Sequence, residues 1–432
     1  MPNKPLTAII VGAGHRAFTY ADYALKNPDK LHITGVADMN PLRRAMAARR
    51  FGFGEDRCFE TAADLAKQPR LADAVINGTM DHQHVETALP LLARGYDMLL
   101  EKPFATNEEE MWQLKDAVAK YGVKVMICHV LRYAPFYAAI RQKIIDGVVG
   151  DIINIQVNEL VSYHHMAVGY VRGKWNNREK CHSTMLLAKS CHDMDILMWM
   201  KSGVKPVRVA SFGSNFQFTP SRCPPKAGKR CLVDCPIEAD CLYSARKHYI
   251  DNPDRWAFYV WDSLEHIENP TIEQKIESLK NDNPYGRCVW RCDNNVVDHQ
   301  SVVLEFEDGA TGTLNMIGGS SRPGRNIHII GTIGEIAGDM EEEKFTIRKI
   351  DPCPGHEYAE ETIDLNIKGD TTGAFGGHGG GDERLAADFV RYIQGENPSI
   401  SCTVLDDSIN GHLAVFRADM ARERQETMSM ER

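Results

Sequence analysis

Short apolar runs alternate with helical stretches through the first third of the chain. Residues 6–12 (LTAIIVG) are apolar, β-branched and closed by a glycine. That is the pattern of a strand buried on both faces of a parallel sheet. Further strands are read at 32–37, 72–79, 97–100 and 124–130, and helices near Pro41, at 84–94 and at 107–121. This alternation predicts a doubly wound α/β sheet, a Rossmann domain over residues 1–135.

The turn after the first strand reads Gly12, Ala13, Gly14, His15, Arg16, Ala17. It matches G-x-G-x-x-A at a strand-to-helix junction. Gly12 permits the tight turn, Gly14 lets a pyrophosphate approach the backbone, and Ala17 lets the helix pack on the sheet. The helix N-terminus adds N–H donors and partial positive charge. Asp38 closes the second strand about 20 residues further on, where a carboxylate accepts from the adenosine ribose hydroxyls and repels a 2′-phosphate. Its alternative role is to cap the next helix. NAD is therefore preferred over NADP, although Arg43 and Arg44 follow closely and are able to hold a 2′-phosphate. Other polar residues gather at strand ends, where ligands of such sheets bind: Thr79, Asp81, Glu101, Lys102 and the stretch 129–133.

Taken with Asp81-His82-Gln83-His84, Glu101-Lys102-Pro103, Leu131-Arg132-Tyr133 and Cys191-His192-Asp193-Met194-Asp195, these features resemble the Gfo/Idh/MocA family of oxidoreductases. The resemblance implies a second α/β domain with an open, mostly antiparallel sheet over residues 136–405, and a face of that sheet used for a homodimer or homotetramer. Strands at 152–160, 207–218, 302–307, 311–317 and 326–330 agree, with helices at 192–200 and 382–393. A last helix within 406–432 is expected to pack back on the first domain. The resemblance also implies cofactor contacts from Gly12, Gly14, His15, Arg16, Ala17, Asp38, Thr79, Asp81, His84, Glu101, Lys102, Arg132 and Trp175.

Oxidation of a carbinol needs a group that takes the hydroxyl proton. The resemblance offers Lys102, with His192 holding or relaying at the substrate oxygen. Asp195 is expected to orient His192 or cap its helix. Many relatives carry an Asp four residues before that His; here Ala188 stands there, followed by Lys189. Lys189 is thus a further catalytic candidate, or a ligand for a substrate hydroxyl or anion. Tyr163, His165, Arg172 and His378 are candidate substrate residues. For His378, in a glycine-rich stretch, a flexible loop is the equal alternative. The implied reaction is hydride transfer at a carbinol carbon of a sugar, sugar derivative or inositol. The departure at Ala188 leaves room for a second reading, an NAD-dependent glycosidase that oxidises C3 transiently, eliminates the aglycone and recycles its cofactor.

Composition narrows the setting. Fifty basic and 59 acidic residues are well mixed, for a net charge of -9, and no basic stripe suggests nucleic acid. No apolar run spans a bilayer, and no secretory signal opens the chain, so a cytoplasmic enzyme is expected. Its 12 cysteines would then stay reduced. Four of them, Cys223, Cys231, Cys235 and Cys241, crowd a Pro- and Gly-broken insertion near residues 221–245. They suggest structural zinc or an iron–sulfur cluster, with Cys288 and Cys292 as further ligands; unliganded thiols are the alternative.

Overall fold

The computed structural model describes residues 4–365 and 380–432; His378 lies outside the described residues. Six strands, β1 (Leu6–Val11), β2 (Leu31–Ala37), β3 (Cys58–Phe59), β4 (Ala74–Asn77), β5 (Asp97–Leu100) and β6 (Val125–Ile127), form one sheet in the order β3-β2-β1-β4-β5-β6. Every pairing in it is parallel. The strand order reverses between β1 and β4, which opens a crevice at the carboxyl ends. Gly12 sits there with φ +75°, and a Cβ on it would meet the Thr79 backbone nitrogen at 2.7 Å. Only glycine fits that turn.

The second domain carries nine strands: β7 (Ile152–Ser162), β8 (Pro206–Ser214), β9 (His299–Phe306), β10 (Thr311–Ser320), β11 (Gly324–Gly331), β12 (Gly334–Asp339), β13 (Lys344–Ile350), β14 (Tyr358–Asp364) and β15 (Met428–Ser429). Their order is β14-β13-β12-β11-β7-β10-β9-β8-β15. Only β7 and β10 pair in parallel; the other pairs are antiparallel. The expected two-domain α/β class is therefore what the chain adopts. Alternate residues of the sheet, among them Ile155, Val157, Leu304, Leu314, Ile327 and Ile329, face inward and are buried.

The helix Met185–Met200 lies on that inner face. Thr184 caps it by accepting from the Leu187 N–H, and every residue except Lys189 is buried. The sequence pattern puts its start at His192, seven residues too late (192 minus 185). An all-round apolar helix shows no one-sided stripe from which to read its beginning. At Gly312 a Cβ would meet Leu197 at 2.9 Å, so the bare glycine lets helix and sheet close up. The helix Leu405–Arg424 packs against Met185–Met200 and β8. It reaches the first domain through Arg417 on Glu108 at 2.8 Å and His412 on Phe104, with ring centroids 3.9 Å apart.

One apolar core runs through both domains, joining Leu100, Phe104 and Leu131 to Leu187, Met194 and Leu413. An ion pair is buried at that junction. Arg132 donates from Nε and Nη2 to the two Asp195 carboxylate oxygens, at 2.7 and 2.6 Å. Both side chains are 3% exposed. Asp195 thus holds Arg132. Arg132→Ala leaves a buried carboxylate unpaired, so a loss of about 3–5 kcal/mol in unfolding free energy is expected. Denaturant titration measures it, and a loss under about 1 kcal/mol would show that the pair does not join the domains.

Candidate active site

The strand-end residues of the first domain form the floor. Arg16 donates from Nε to Glu101 (3.0 Å) and from Nη2 to Asp382 (2.6 Å), and also bonds Tyr20. Its guanidinium therefore braces the glycine turn against the helix Gly381–Gln394. Asp38 accepts from the backbone N–H groups of Ala13 and Asn40, both at 2.7 Å. Asn40, not Asp38, caps the next helix, accepting from Leu42 N. His84 lies between two carbonyls, Thr79 O at 3.0 Å and Pro103 O at 2.6 Å. Asp81 accepts from the Trp175 indole at 3.1 Å, which brings a second-domain ring to the first-domain strand ends. Ala17 packs under Gly78, where an added Cβ would be only 2.9 Å away. At Gly14 such a Cβ would make only an ordinary contact, with Gly78 O at 3.8 Å.

Lys102 follows β5, and its peptide to Pro103 is cis. Its Nζ donates to the Ala188 carbonyl at 3.0 Å. His192 lies one helical turn beyond Ala188 on the same helix face. The ring of His129, from the end of β6, stands edge-on to His192 at 5.7 Å and to His412 at 5.7 Å. Burial, then Arg132 and Lys102, hold the His129 imidazole well below its ordinary value, so it is neutral. His129 begins the strand-end stretch 129–133 read from the sequence, whereas His412 is a buried neighbour of the site that the sequence pattern did not single out.

A cavity of about 390 Å³ is lined by second-domain residues and by Ala134, Pro135 and Phe136, and not by Lys102 or His192. Its wall carries Lys189, next to Ala188, together with His165, Glu159, Arg325 and Glu341. Lys189 meets Glu159 at 2.9 Å, and Arg325 meets Glu159 at 2.6 Å and Asp193 at 2.9 Å. Two partly exposed cations and two buried carboxylates thus form a quartet. Burial raises the Glu159 carboxyl, but Arg325 and Lys189 outweigh it and hold the group below its ordinary value. Burial pushes Asp193 up to about 6, against the pull of Arg325. Burial also lowers Lys189, with Glu159 offsetting part of the shift.

An insertion between β8 and β9 covers part of the crevice. Trp256 stacks on His165 at 3.9 Å, Phe258 stacks on His15 at 5.3 Å, and Arg43 pairs with Glu265 at 3.1 Å. Two expected substrate residues point into this insertion. Arg172 is 1% exposed and donates to Arg287 O, Tyr249 Oη, Tyr243 O and Cys231 Sγ. Tyr163 accepts from Arg255 and packs edge-on to Tyr243 and His248. The metal expectation does not fit: among the described residues no three His, Cys, Asp or Glu side chains are placed to hold an ion. Cys231 accepts from Arg172, Cys241 accepts from Tyr243 N, and burial pushes the Cys288 thiol up to about 12. Cys231, Cys235, Cys241 and Cys288 line one small space together with Arg172.

A parallel sheet with a glycine turn, facing a mixed sheet across a charged cleft, defines a nucleotide-dependent oxidoreductase architecture. The chain matches the oxidoreductase-family NAD-binding Rossmann fold over residues 6–129 and that family's C-terminal alpha/beta domain over 141–404. It belongs to the Gfo/Idh/MocA family. It is 26% identical over 398 residues to the putative oxidoreductase YteT of Bacillus subtilis (strain 168), covering 88% of this chain and 87% of that protein. With the levoglucosan dehydrogenase of Pseudarthrobacter phenanthrenivorans (strain DSM 18606 / JCM 16027 / LMG 23796 / Sphe3) it shares 30% identity over 121 residues, 28% of this chain and 30% of that one. A solved levoglucosan dehydrogenase complex with NADH and levoglucosan superposes with a TM-score of 0.68 at 17% identity, over 99% of this chain and 100% of that chain. No helix among the described residues is long and apolar enough to cross a membrane.

The quartet yields a pH prediction. The folded Asp193 carboxyl binds its proton near pH 6, above the ordinary 3.8, so the folded state holds more protons between those values. Stability from this site therefore rises as pH falls through 6. Relative to Asp193→Asn, which cannot titrate there, the wild type should gain about 1 kcal/mol between pH 7 and pH 5. Paired denaturation curves measure the difference, and a flat difference would place the Asp193 titration elsewhere.

Proposed function

We propose that the protein oxidises a secondary alcohol of a sugar, sugar derivative or inositol with NAD. The observation that carries this reading is Lys102 held at the Ala188 carbonyl, one helical turn from His192; the next residue, Lys189, lines a cavity walled by both signs of charge. Bound NAD supplies the hydride acceptor. Gly12, Gly14 and Asp38 are the residues that would hold it. In this reading Lys102 Nζ takes the hydroxyl proton and His192 holds the same oxygen. Glu159 already neutralises Lys189, which favours a hydroxyl-rich substrate over a strong anion. Lys189 and His165 then orient hydroxyls, with His165 kept neutral by burial and by Lys189.

A second reading, glycoside cleavage with a recycled cofactor, is favoured by one feature: the insertion lies on both His15 and Arg43, at the cofactor edge. We further propose a homo-oligomer joined through the outer face of the nine-stranded sheet, where Phe212 is 76% exposed. Twelve free cysteines fit a cytoplasmic setting.

Lys102→Met should lower turnover by at least about 100-fold while leaving NADH binding within a few-fold. A polyol and glycoside panel, with NADH absorbance and aglycone release read together, separates the two readings. Net NADH supports the dehydrogenase, and aglycone without NADH supports the glycosidase. Turnover unchanged in the Lys102 variant would remove Lys102 from the mechanism.

A further inference from the structure

In dinucleotide folds the carboxylate after the second strand accepts from the ribose hydroxyls, and a nearby arginine is what accommodates a 2′-phosphate. This chain has two arginines there, and both are engaged. Arg44 Nη1 donates to Asp38 O at 2.5 Å and Met39 O at 3.1 Å. Arg43 donates from Nε and Nη2 to Glu265 Oε2 at 3.2 and 3.1 Å. The other Glu265 oxygen accepts from the Asn40 side chain at 2.7 Å. A carboxylate from the second-domain insertion therefore sits on the arginine that follows Asp38.

Glu265 is held in place by the turn before it. In the helical segment Ala257–Leu264, Ala257 and Val260 are each 1% exposed and pack in the insertion's own small core. Asp262 pairs with Lys174 at 3.1 Å, and Phe258 stacks on His15 of the glycine turn. The segment leading into the carboxylate is thus fixed to both domains.

We propose that Glu265 is a specificity-determining residue that selects NAD against NADP. It neutralises Arg43 and adds a second negative charge beside Asp38. A 2′-phosphate would then meet two carboxylates and an arginine already paired, whereas a 2′-hydroxyl meets no such repulsion. This rests on the reading of the first domain as an NAD site and assigns the discrimination to a residue from the other domain.

The test is the Kd of the full chain for NADH and NADPH, read by nicotinamide fluorescence, in wild type, Glu265→Ala and Glu265→Ala/Arg43→Ala. The wild type should prefer NADH. In Glu265→Ala, NADPH should tighten by roughly three- to fivefold while NADH moves less than about twofold, the size expected of one partly exposed charge pair. Adding Arg43→Ala should abolish the gain, and raising the salt should shrink it. An NADPH affinity unchanged in Glu265→Ala, with NADH still bound, overturns the role of Glu265 alone. A wild type that binds neither nucleotide overturns the NAD site and this role with it. Unfolding midpoints without nucleotide show whether a variant has lost its fold.

Discussion

The geometry of the cleft depends on one buried ion pair. Arg132 lies just past β6 and Asp195 lies mid-way along Met185–Met200, and neither sees solvent. Desolvating either charge alone is costly, so the helix has a strong preference for the register in which the two meet bidentately. That register sets everything upstream on the same helix. His192 lies about one turn before Asp195, and Ala188 one turn before His192, so the Ala188 carbonyl comes within 3.0 Å of Lys102 Nζ. A second, half-buried cation works in a similar way on the cofactor side. Arg16, tied to Glu101 and Asp382, draws the glycine turn, the end of β5 and the helix Gly381–Gln394 together.

Much of the first domain was legible because its signals are local. β1 is a run of apolar residues, the turn needs glycine at Gly12, and Asp38 follows at the end of the next strand. The inner helix was harder. Apolar on every side, it has no stripe to mark its start, so Met185 to Cys191 read as a lead-in instead of two helical turns. The Arg132 partner of Asp195 was not legible because it lies 63 positions away in sequence. The strands β12 to β14 were missed altogether: short and mixed in composition, they owe their pairing to the sheet that β11 begins.

The insertion shows how residue type alone misleads. Four cysteines within a short, broken segment are what a metal site looks like in sequence. In the fold their neighbourhood is organised by Arg172, whose guanidinium binds two carbonyls, a phenol and a thiol. A buried guanidinium needs acceptors on all sides, and the insertion supplies them, which is why Arg172 is turned away from the cleft. Cysteine here fills the small apolar spaces around that hub.

The pocket did carry a sequence signal, one of parity. In β7 the inward positions run Ile155, Val157, Glu159, and in β11 they run Ile329, Ile327, Arg325. These residues face one another in register as Ile329 on Ile155, Ile327 on Val157 and Arg325 on Glu159. The apolar inner face therefore continues rank by rank until both strands place a charge at the same level. A charge at a core-facing position is tolerated when it is paired or borders a cavity, and here both hold: Glu159 and Arg325 bond each other and line the same pocket. Lys189, the one residue of its helix not fully buried, completes that rank from above. The end of the core and the start of the site are thus one feature of strand register, and the charge balance of the pocket follows from it.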